Sequence, residues 1–341
     1  MINLKPVTGY PNKVVLIDQT LLPLEQKNLE ITSLDTMCDA IKRLVVRGAP
    51  AIGIAAAYTV SLHCQQAASL DGLQRLFQEA FTALNATRPT AVNLAWALKR
   101  MEKFLHTQLL LTQDLSEIKS LLFQEASAIE AEDYEMCRKI GINGFDLFPN
   151  QKEIRALTIC NAGGFATAGF GTALAPFYIA REQNINLEVF ALETRPLLQG
   201  SRITAYELLK SGIKTTLLTD NMAAALMSQK KIDFVIAGAD RIAANGDTAN
   251  KIGTYQLAIL ARYHKIPFYI AAPYSTLDPS LASGSEIPIE YRGKDEIIHF
   301  GERQTAPENV NVFSPAFDVT PAELISAIIT ESGVFSPPFR F

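Results

Sequence analysis

The chain has 341 residues, of which 48% are hydrophobic, enough to bury a large core and to form two domains. Charged residues make up 19% of the chain and the net charge is −4. There is no Lys/Arg-rich block of the kind that binds nucleic acid. These bounds argue against disorder and favour chemistry on small molecules, with no nucleic-acid partner.

The amino terminus, Met1–Pro6, lacks the apolar core of a signal peptide, and no apolar run reaches the roughly 18 residues that a membrane span needs. We therefore expect a cytoplasmic protein without membrane contact. The sparse cysteines suit a reducing compartment, since none forms a CxxC pair: Cys38, Cys64, Cys137 and Cys160. The histidines are too scattered to predict a metal centre: His63, His106, His264 and His299.

Residues 1–145 are predicted to form a mainly helical domain with a small β-hairpin region. Two short β-like runs, Val14–Asp18 and Leu29–Thr32, precede Ser33, a plausible N-cap. An amphipathic helix follows, and its apolar face includes Cys38, which is therefore interpreted as a core residue. Further helices are predicted over Ala91–Leu105 and Leu115–Ile140.

Residues 146–341 are predicted to form a Rossmann-like, doubly wound α/β domain. Short apolar runs alternate with helix-length segments, and their near-continuous hydrophobicity is typical of a buried parallel sheet. The predicted strands are Ala156–Cys160, Glu188–Leu192, Thr215–Leu218, Phe234–Ala237 and Pro267–Ala271. Polar and glycine-rich segments begin where these strands stop, so we expect them to converge on one cleft at the carboxyl ends of the strands.

Cys160 ends the first of these strands and precedes Asn161-Ala162-Gly163-Gly164, after which a helix-compatible run extends from Gly171 to Ile179. A cysteine just before a helix N-terminus feels the positive end of the helix dipole, which favours a nucleophilic or basic thiolate. The alternative is a buried strand cysteine. Spacing alone leaves both interpretations open.

Asp240 follows the strand Phe234–Ala237 after Gly238 and Ala239. Apolar surroundings at that position would raise the pKa of its carboxyl group and make it a candidate general acid near neutral pH. The alternative is an ion pair with Arg241 or Arg202, or a turn cap.

No cofactor is predicted, because the glycines near Cys160 do not fit G-x-G-x-x-G and no G-K-[ST] occurs. Two segments are instead candidates for phosphate binding. Asn250-Lys251 is expected to open a helix that runs to about Tyr263, where a phosphate would meet the lysine and free backbone N–H groups. Arg47–Gly53 combines glycines with a guanidinium group. Either segment could instead be a turn with a solvated charge.

Five long segments resemble the methylthioribose-1-phosphate isomerase family, in the expected order along nearly the whole chain: RGAPAIG (Arg47–Gly53), CNAGGFAT (Cys160–Thr167), ETRPLLQGSRITAY (Glu193–Tyr206), GADRIAANGDTANKIG (Gly238–Gly253) and FSPAFDVTPAE (Phe313–Glu323). One departure is Ile159, which precedes Cys160 where many members carry histidine.

The resemblance implies an aldose-to-ketose isomerase that converts 5-methylthioribose 1-phosphate to 5-methylthioribulose 1-phosphate in methionine salvage. It implies Asp240 as proton donor, Cys160 as its partner thiol, and a homodimer. The substrate-binding positions that it implies are Arg47, Gly48, Ala49, Arg88, Gln199, Asn250 and Lys251. Because Arg88 lies in the first domain, we expect the cleft to be shared between the domains.

Three alternatives remain at the level of sequence. The substrate could be 5-deoxyribose 1-phosphate, or ribose 1,5-bisphosphate with a second phosphate site. The protein could also be a non-catalytic relative of the regulatory alpha, beta and delta subunits of the translation-initiation exchange factor. A binding subunit has no reason to keep Cys160, Asp240 and the Asn250-Lys251 pair together.

Overall fold

The structure is a computed structural model that describes residues 4–88 and 92–341. It has the predicted mixed α/β architecture and divides into two compact units. The first unit comprises the described residues up to Cys137 together with Gly163–Gly171, and the second comprises Arg138–Ala162 and Thr172–Phe341. A short segment that follows Cys160 in sequence thus belongs to the first unit.

A three-stranded antiparallel sheet opens the first unit, with β1 (Val7–Tyr10), β2 (Lys13–Ile17) and β3 (Asn28–Ile31) in that order. Val14 and Leu16 on β2 are fully buried, and the residues between and beside them are less so, as expected for a strand with one face on the core. The two predicted strands correspond to β2 and β3, whereas β1 was not predicted.

Helices form the rest of the first unit: α1 (Leu34–Lys42), α2 (Ala49–Cys64), α3 (Leu70–Asn85), α4 (Val92–Leu111) and α5 (Leu115–Phe145), which continues into the second unit. Ser33 caps α1 as predicted, because its Oγ accepts a hydrogen bond from the N–H of Thr36. Cys38 packs half-buried against the core. The predicted start of α4 at Ala91 lies outside the described residues.

Helix α2 is the central element of the first unit. It is apolar on every face, and nearly all of its residues are buried. Such a helix has to be surrounded by other elements, and accordingly α1, α3, α4, β1 and β2 all pack against it. Its amino-terminal end, at Gly48, is therefore held in a fixed position within the unit.

A seven-stranded sheet forms the core of the second unit. The strands of this unit are β4 (Glu153–Thr158), β5 (Asn186–Leu192), β6 (Lys214–Leu218), β7 (Phe234–Ala237), β8 (Arg241–Ala243), β9 (Thr248–Lys251), β10 (Phe268–Ala271), β11 (Leu277–Asp278), β12 (His299–Phe300), β13 (Arg303–Gln304), β14 (Phe317–Thr320), β15 (Ala327–Thr330) and β16 (Gly333–Phe335). The order in the large sheet is β16-β15-β10-β7-β4-β5-β6, and every pair except β15-β16 is parallel.

This sheet confirms the predicted Rossmann-like class. The five predicted strands correspond to β4, β5, β6, β7 and β10, although β4 ends at Thr158, two residues before the predicted end. A second sheet of order β11-β8-β9-β14 was not predicted. The helices of the second unit are α6 (Ala175–Glu182), α7 (Ala205–Lys210), α8 (Ala223–Ser228), α9 (Thr254–His264) and α10 (Asp295–Ile298).

The glycine-rich segment Gly163–Gly171 is anchored to the first unit by hydrogen bonds. Gln19 donates from Nε2 to the carbonyl of Phe165 over 2.9 Å, and the N–H of Ala168 donates to Oδ2 of Asp133 over 2.6 Å. Asp133 lies on α5 and is 8% exposed. The position of this segment therefore depends on a buried carboxyl group.

Burial is the main cause that raises the pKa of Asp133 to about 7, against the lowering effect of the Ala168 N–H. An aspartate in an unfolded chain ionises near ~3.9. Between these values the native state holds a proton that the unfolded chain releases, so the stability falls as the pH rises through this window. The cost is absent below about pH 4 and complete above about pH 7.

We therefore expect Asp133→Asn, which keeps an acceptor for Ala168 but cannot ionise, to gain stability relative to wild type as the pH rises from 4.5 to 8. The gain should be on the order of 1–4 kcal/mol, at about 1.4 kcal/mol for each unit of pKa shift. Urea unfolding of both proteins across this pH range measures it. Glu135→Gln, an exposed change two residues along the same helix, is the control, and a difference that does not vary with pH would contradict the expectation.

Candidate active site

The strand order of the large sheet reverses between β4 and β7. From β4 the chain continues outward through β5 and β6, and it then returns to place β7 on the other side of β4. Ligands of open α/β sheets bind outside the carboxyl ends of the strands at such a reversal. Thr158 of β4 is paired with Ile236 of β7, so Cys160 and Asp240 both leave the sheet at this edge, on neighbouring strands.

The backbone of Cys160 is held on both sides by threonine hydroxyls. Its N–H donates to Oγ1 of Thr194 over 2.9 Å, and its carbonyl accepts from Oγ1 of Thr204 over 2.6 Å. Cys160 itself adopts a left-handed conformation with φ 68°. Residues other than glycine rarely adopt this conformation, and they keep it only where the surroundings fix it. The thiol therefore projects from a fixed turn.

The loop after β5 supplies one of these threonines and is itself constrained. Thr194 and Leu198 also have positive φ angles, 63° and 58°. The carboxylate of Asp220 accepts from the N–H groups of Thr194 and Arg195 over 2.8 and 2.7 Å. At Gly200 an added Cβ would lie 1.7 Å from the carbonyl oxygen of Leu192, so only glycine fits.

Gln199 contacts the sulfur directly. It is fully buried, and its Nε2 donates to Sγ of Cys160 over 3.5 Å. Within the described part of the chain its carbonyl oxygen Oε1 has no hydrogen-bond partner. Gln199, a predicted substrate-binding residue, thus lies beside the predicted catalytic thiol, and its contact fixes the direction of the sulfur.

A buried polar chain begins at Asn161, next to the thiol. The Nδ2 of Asn161 donates to Oγ1 of Thr204 and to Oε2 of Glu207, each over 3.2 Å. Glu207 is fully buried and also accepts from the hydroxyl of Tyr178. Burial first, and the charge of Glu207 second, raise the pKa of Tyr178 well above its usual value. Tyr178 therefore stays a hydrogen-bond donor at any physiological pH.

Asp240 lies three residues beyond β7, where β8 begins. Its backbone N–H donates to the carbonyl of Ala249 over 2.9 Å, which joins it to the β8-β9 hairpin. Its side chain is exposed in the second unit. The prediction of apolar surroundings was therefore wrong, because the chain turns outward after Gly238 instead of continuing into the core. The neighbouring Arg241 forms an ion pair with Asp278 at 3.4 Å.

Asn250 and Lys251 lie on strand β9, so the prediction that they open a helix was wrong. Asn250 is buried, and its Nδ2 donates to Oγ1 of Thr254 over 3.0 Å. The Nζ of Lys251 donates to the carbonyl of Ala316 over 3.0 Å and lies 4.6 Å from the ring centroid of Phe317. The side chain of Lys251 is partly exposed, so its ammonium group keeps donors for a ligand.

The amino-terminal end of α9 is occupied by the protein itself. The carboxylate of Asp318 on β14 accepts from the N–H of Gly253 over 2.7 Å and from that of Tyr255 over 3.1 Å. Two of the N–H groups that were expected to bind phosphate are therefore already satisfied. Burial raises the pKa of Asp318, and the N–H groups of Gly253 and Tyr255 oppose that effect.

The basis proposed for the reactivity of Cys160 also needs correction. The first α-helix after it, α6, begins only at Ala175, so no α-helix N-terminus directly follows the thiol. Contacts with Gln199, Thr194 and Thr204 hold Cys160 instead. Ile159, the residue that departs from the family pattern, is 2% exposed and belongs to the core of the second unit.

The remaining predicted binding residues lie in the first unit. Gly48 forms the N-cap of α2 with φ 89°, and an added Cβ would lie 2.3 Å from Cα of Ala166. No side chain caps this helix end. Arg47 is half-buried and Ala49 is exposed. Arg88 follows α3 and is half-buried. RGAPAIG and the part of CNAGGFAT that belongs to this unit, Gly163–Thr167, are thus in contact.

Several residues of the site were not singled out from sequence. Thr194 and Thr204 lie within a segment that resembles the family, but nothing in their spacing indicated that they hold Cys160. The pattern also gave no sign that Glu207 or Asp318 would be buried acceptors. In the described ranges, no group of three or more His, Cys, Asp or Glu side chains is arranged to hold a metal ion. No described helix is long and apolar enough to span a membrane.

The sequence profile of the initiation factor 2 subunit family matches residues 45–337. The 5-deoxyribose 1-phosphate isomerase of Moorella thermoacetica is 52% identical, over 98% of this chain and 95% of its own. The methylthioribose-1-phosphate isomerase of Desulforamulus reducens is also 52% identical, over 96% of this chain and 94% of its own.

Solved structures agree with these sequence matches. The 5-methylthioribose 1-phosphate isomerase from Pyrococcus horikoshii OT3 matches with a TM-score of 0.94 and 43% identity, over 98% of this chain and 93% of that one. A structure described as translation initiation factor eIF-2B subunit delta from A. fulgidus matches with a TM-score of 0.90 and 42% identity, over 98% and 96%. The chain therefore belongs to the initiation factor 2 subunit family and, within it, to the group that includes the methylthioribose-1-phosphate isomerases.

Proposed function

We propose that the protein isomerises 5-methylthioribose 1-phosphate to 5-methylthioribulose 1-phosphate, a step of methionine salvage. One observation carries this proposal: Cys160 and Asp240 follow two neighbouring parallel strands, β4 and β7, at the point where the strand order reverses. The methylthioribose-1-phosphate isomerases that are about half identical to this chain over nearly its full length support the choice of substrate.

Asp240 is proposed as the acid that opens the sugar ring. In the substrate the phosphate is attached to the anomeric carbon, so the ring cannot open as that of a free sugar does. Opening breaks the bond between C1 and the ring oxygen, and this oxygen must receive a proton. A carboxyl group within reach of the ring oxygen can supply that proton. The exposed side chain of Asp240 is accessible to a ligand.

Hydrogen then moves from C2 to C1, while the 2-hydroxyl group loses its proton and C2 becomes a ketone. This proton restores the one that Asp240 gave to the ring oxygen. In one path Cys160 takes the C2 hydrogen as a proton and returns it at C1. In the other path the hydrogen moves directly as a hydride, and Cys160 shapes the pocket. Both paths balance without a cofactor or an external oxidant. Both also need a side chain in a fixed position, which the contacts of Cys160 with Thr194, Thr204 and Gln199 support.

Substrate binding is proposed for Gln199, Asn250 and Lys251 in the second unit. Lys251 offers the charge for the phosphate, and the buried Asn250 supports β9 beneath it. Arg47, Gly48, Ala49 and Arg88 of the first unit are proposed as further substrate contacts, as the family resemblance implies. The uncapped start of α2 at Gly48 supports a role in anion binding.

A related substrate is the second candidate. The Moorella thermoacetica relative, 52% identical, is named a 5-deoxyribose 1-phosphate isomerase, and this sugar differs from the first only in the substituent at C5. The same residues would act on either substrate, because the reacting atoms are identical.

We also propose that the protein works in the cytoplasm as a homodimer, without nucleic-acid partners. The absence of a disulfide bond between any of the four cysteines, all of which lie among the described residues, supports a reducing compartment. A net charge of −4 does not favour nucleic acid. The resemblance to the isomerases supports the dimer.

The purified protein is expected to convert 5-methylthioribose 1-phosphate and 5-deoxyribose 1-phosphate to the corresponding ketoses, and to leave ribose 1,5-bisphosphate unchanged. Phosphorus NMR of the reaction mixtures measures substrate and product together. Conversion of ribose 1,5-bisphosphate alone would show that this sugar, and not 5-methylthioribose 1-phosphate, is the substrate. A folded protein that converts none of the three would contradict an isomerase function and favour a role as a binding subunit.

Asp240→Asn should lower the turnover number by ~10²-fold or more, because the amide keeps the shape of the carboxyl group but has no titrating proton. Steady-state kinetics with circular dichroism as a check of folding measures this effect. Asp278→Asn, a change on the neighbouring strand β11, is the matched control and should stay near the wild-type rate. A folded Asp240→Asn variant with near-normal turnover would remove Asp240 from the mechanism.

Lys251→Ala should weaken binding of the substrate and of inorganic phosphate by ~10- to 100-fold, the value of a charge-assisted contact of roughly 1.5–3 kcal/mol. Isothermal calorimetry with both ligands gives the affinities. Lys231→Ala removes an exposed lysine elsewhere in the same unit and should leave them unchanged. Equal affinities in the wild type and the Lys251→Ala variant would show that Lys251 does not bind the phosphate.

A further inference from the structure

The orientation of the Asn161 side chain is fixed by its contact with Thr204. The same end of the Asn161 amide faces Oγ1 of Thr204 and Oε2 of Glu207. The single hydroxyl proton of Thr204 is directed to the carbonyl of Cys160, 2.6 Å away, so its Oγ1 can only accept from Asn161. The group that faces both residues must therefore be the NH₂ of Asn161, and its carbonyl oxygen Oδ1 points elsewhere.

This carbonyl oxygen is buried and lacks a donor. Asn161 is 8% exposed, and its Oδ1 has no hydrogen-bond partner in residues 4–88 and 92–341. A buried acceptor without a donor is costly, and the great majority of such atoms in folded proteins are paired. An apolar side chain at this position would avoid that cost. The presence of the amide therefore indicates that a hydrogen-bond donor from outside the chain binds here.

The same feature occurs at Gln199, which contacts the thiol. Gln199 is fully buried, its Nε2 contacts Sγ of Cys160, and its Oε1 also lacks a partner among the described residues. Two amide residues near the reactive sulfur thus each have an unused acceptor. Phosphate and carboxylate groups, which accept hydrogen bonds at neutral pH, cannot satisfy them. Hydroxyl groups can.

We infer that Oδ1 of Asn161 accepts a hydrogen bond from a hydroxyl group of the bound sugar and so selects substrates that carry this hydroxyl. This inference rests on the proposed function, because it takes the ligand to be a pentose phosphate. The chain from Tyr178 through Glu207 positions Asn161 for this contact, since it prevents the amide from turning over. A site that is built to pair a hydroxyl rejects the analogue without it, because the acceptor is then left unpaired.

The test compares ligands that differ by one hydroxyl and cannot react. The probes are 5-deoxyribitol 1-phosphate, an open-chain alcohol, and its 2-deoxy and 3-deoxy counterparts. Calorimetry gives their affinities for the wild type, Asn161→Ala and Asn161→Ser. Serine keeps a donor for Thr204 or Glu207 but has no carbonyl oxygen, so it provides a second variant if alanine disrupts folding. Asn143→Ala is the matched control, because the amide of Asn143 donates to the carbonyl of Thr330 over 2.8 Å.

For the wild type and the Asn143→Ala control, removing one of the two hydroxyls should weaken binding ~10-fold or more. For both Asn161 variants the same removal should change the affinity less than ~2-fold, because the acceptor is gone. Discrimination that persists in a folded Asn161 variant would overturn the inference. A wild type that does not discriminate would also overturn it.

The outcome is separable from that of the proposed function. If the wild type isomerises 5-methylthioribose 1-phosphate but the Asn161 variants keep their discrimination, the inference fails and the function stands. If the wild type converts none of the sugar phosphates, the proposed function fails, and the inference fails with it.

Discussion

The pairing of β4 with β7 is the constraint on which the candidate site depends. These two strands are separated in sequence by β5 and β6, and their parallel register, with Thr158 opposite Ile236, brings the segments after them to the same edge. A shift of this register would move Cys160 and Asp240 relative to each other, and each residue along a strand spans about 3.3 Å. The carboxyl-terminal halves of both strands are buried, so such a shift would disturb the packing on both faces of the sheet.

Local backbone strain and buried polar groups accompany the fixed position of the thiol. Cys160 and Thr194 have left-handed backbones. The carboxyl group of Glu207 is fully buried and accepts a hydrogen bond from Asn161, the residue after Cys160. Each of these features lowers stability on its own. Together they form a hydrogen-bonded network in which two acceptors among the described residues lack a donor, the amide carbonyl oxygens of Asn161 and Gln199. Active sites are where such costs accumulate.

The sequence predicted the features that depend on local pattern. The strand positions followed from continuous apolar runs, and the strand ends located Cys160 and Asp240 at one edge. The errors concern contacts between residues far apart in sequence. The end of α9 is filled by Asp318, 65 residues beyond Gly253, and no pattern near Asn250 could show this. The exposed position of Asp240 depends on the β8-β9 hairpin, whose short strands carry no clear period-2 signal. Thr194 and Thr204 lie inside a segment that resembles the family, but their contacts with Cys160 join residues 34 and 44 positions apart in sequence, which no local pattern shows.

The membership of Gly163–Gly171 in the first unit has a consequence for synthesis of the protein. The N–H of Ala168 pairs with Asp133, and Gly48 packs on Ala166, so the first unit lacks an internal part until these residues exist. Domains of nascent chains generally fold from the amino terminus as they are made. Here the ribosome must already have made β4, the first strand of the large sheet of the second unit, before the first unit can close around its own missing segment. Folding of the first unit is thus coupled to synthesis of the second, and a chain truncated after α5 would lack the N–H of Ala168 that pairs with Asp133.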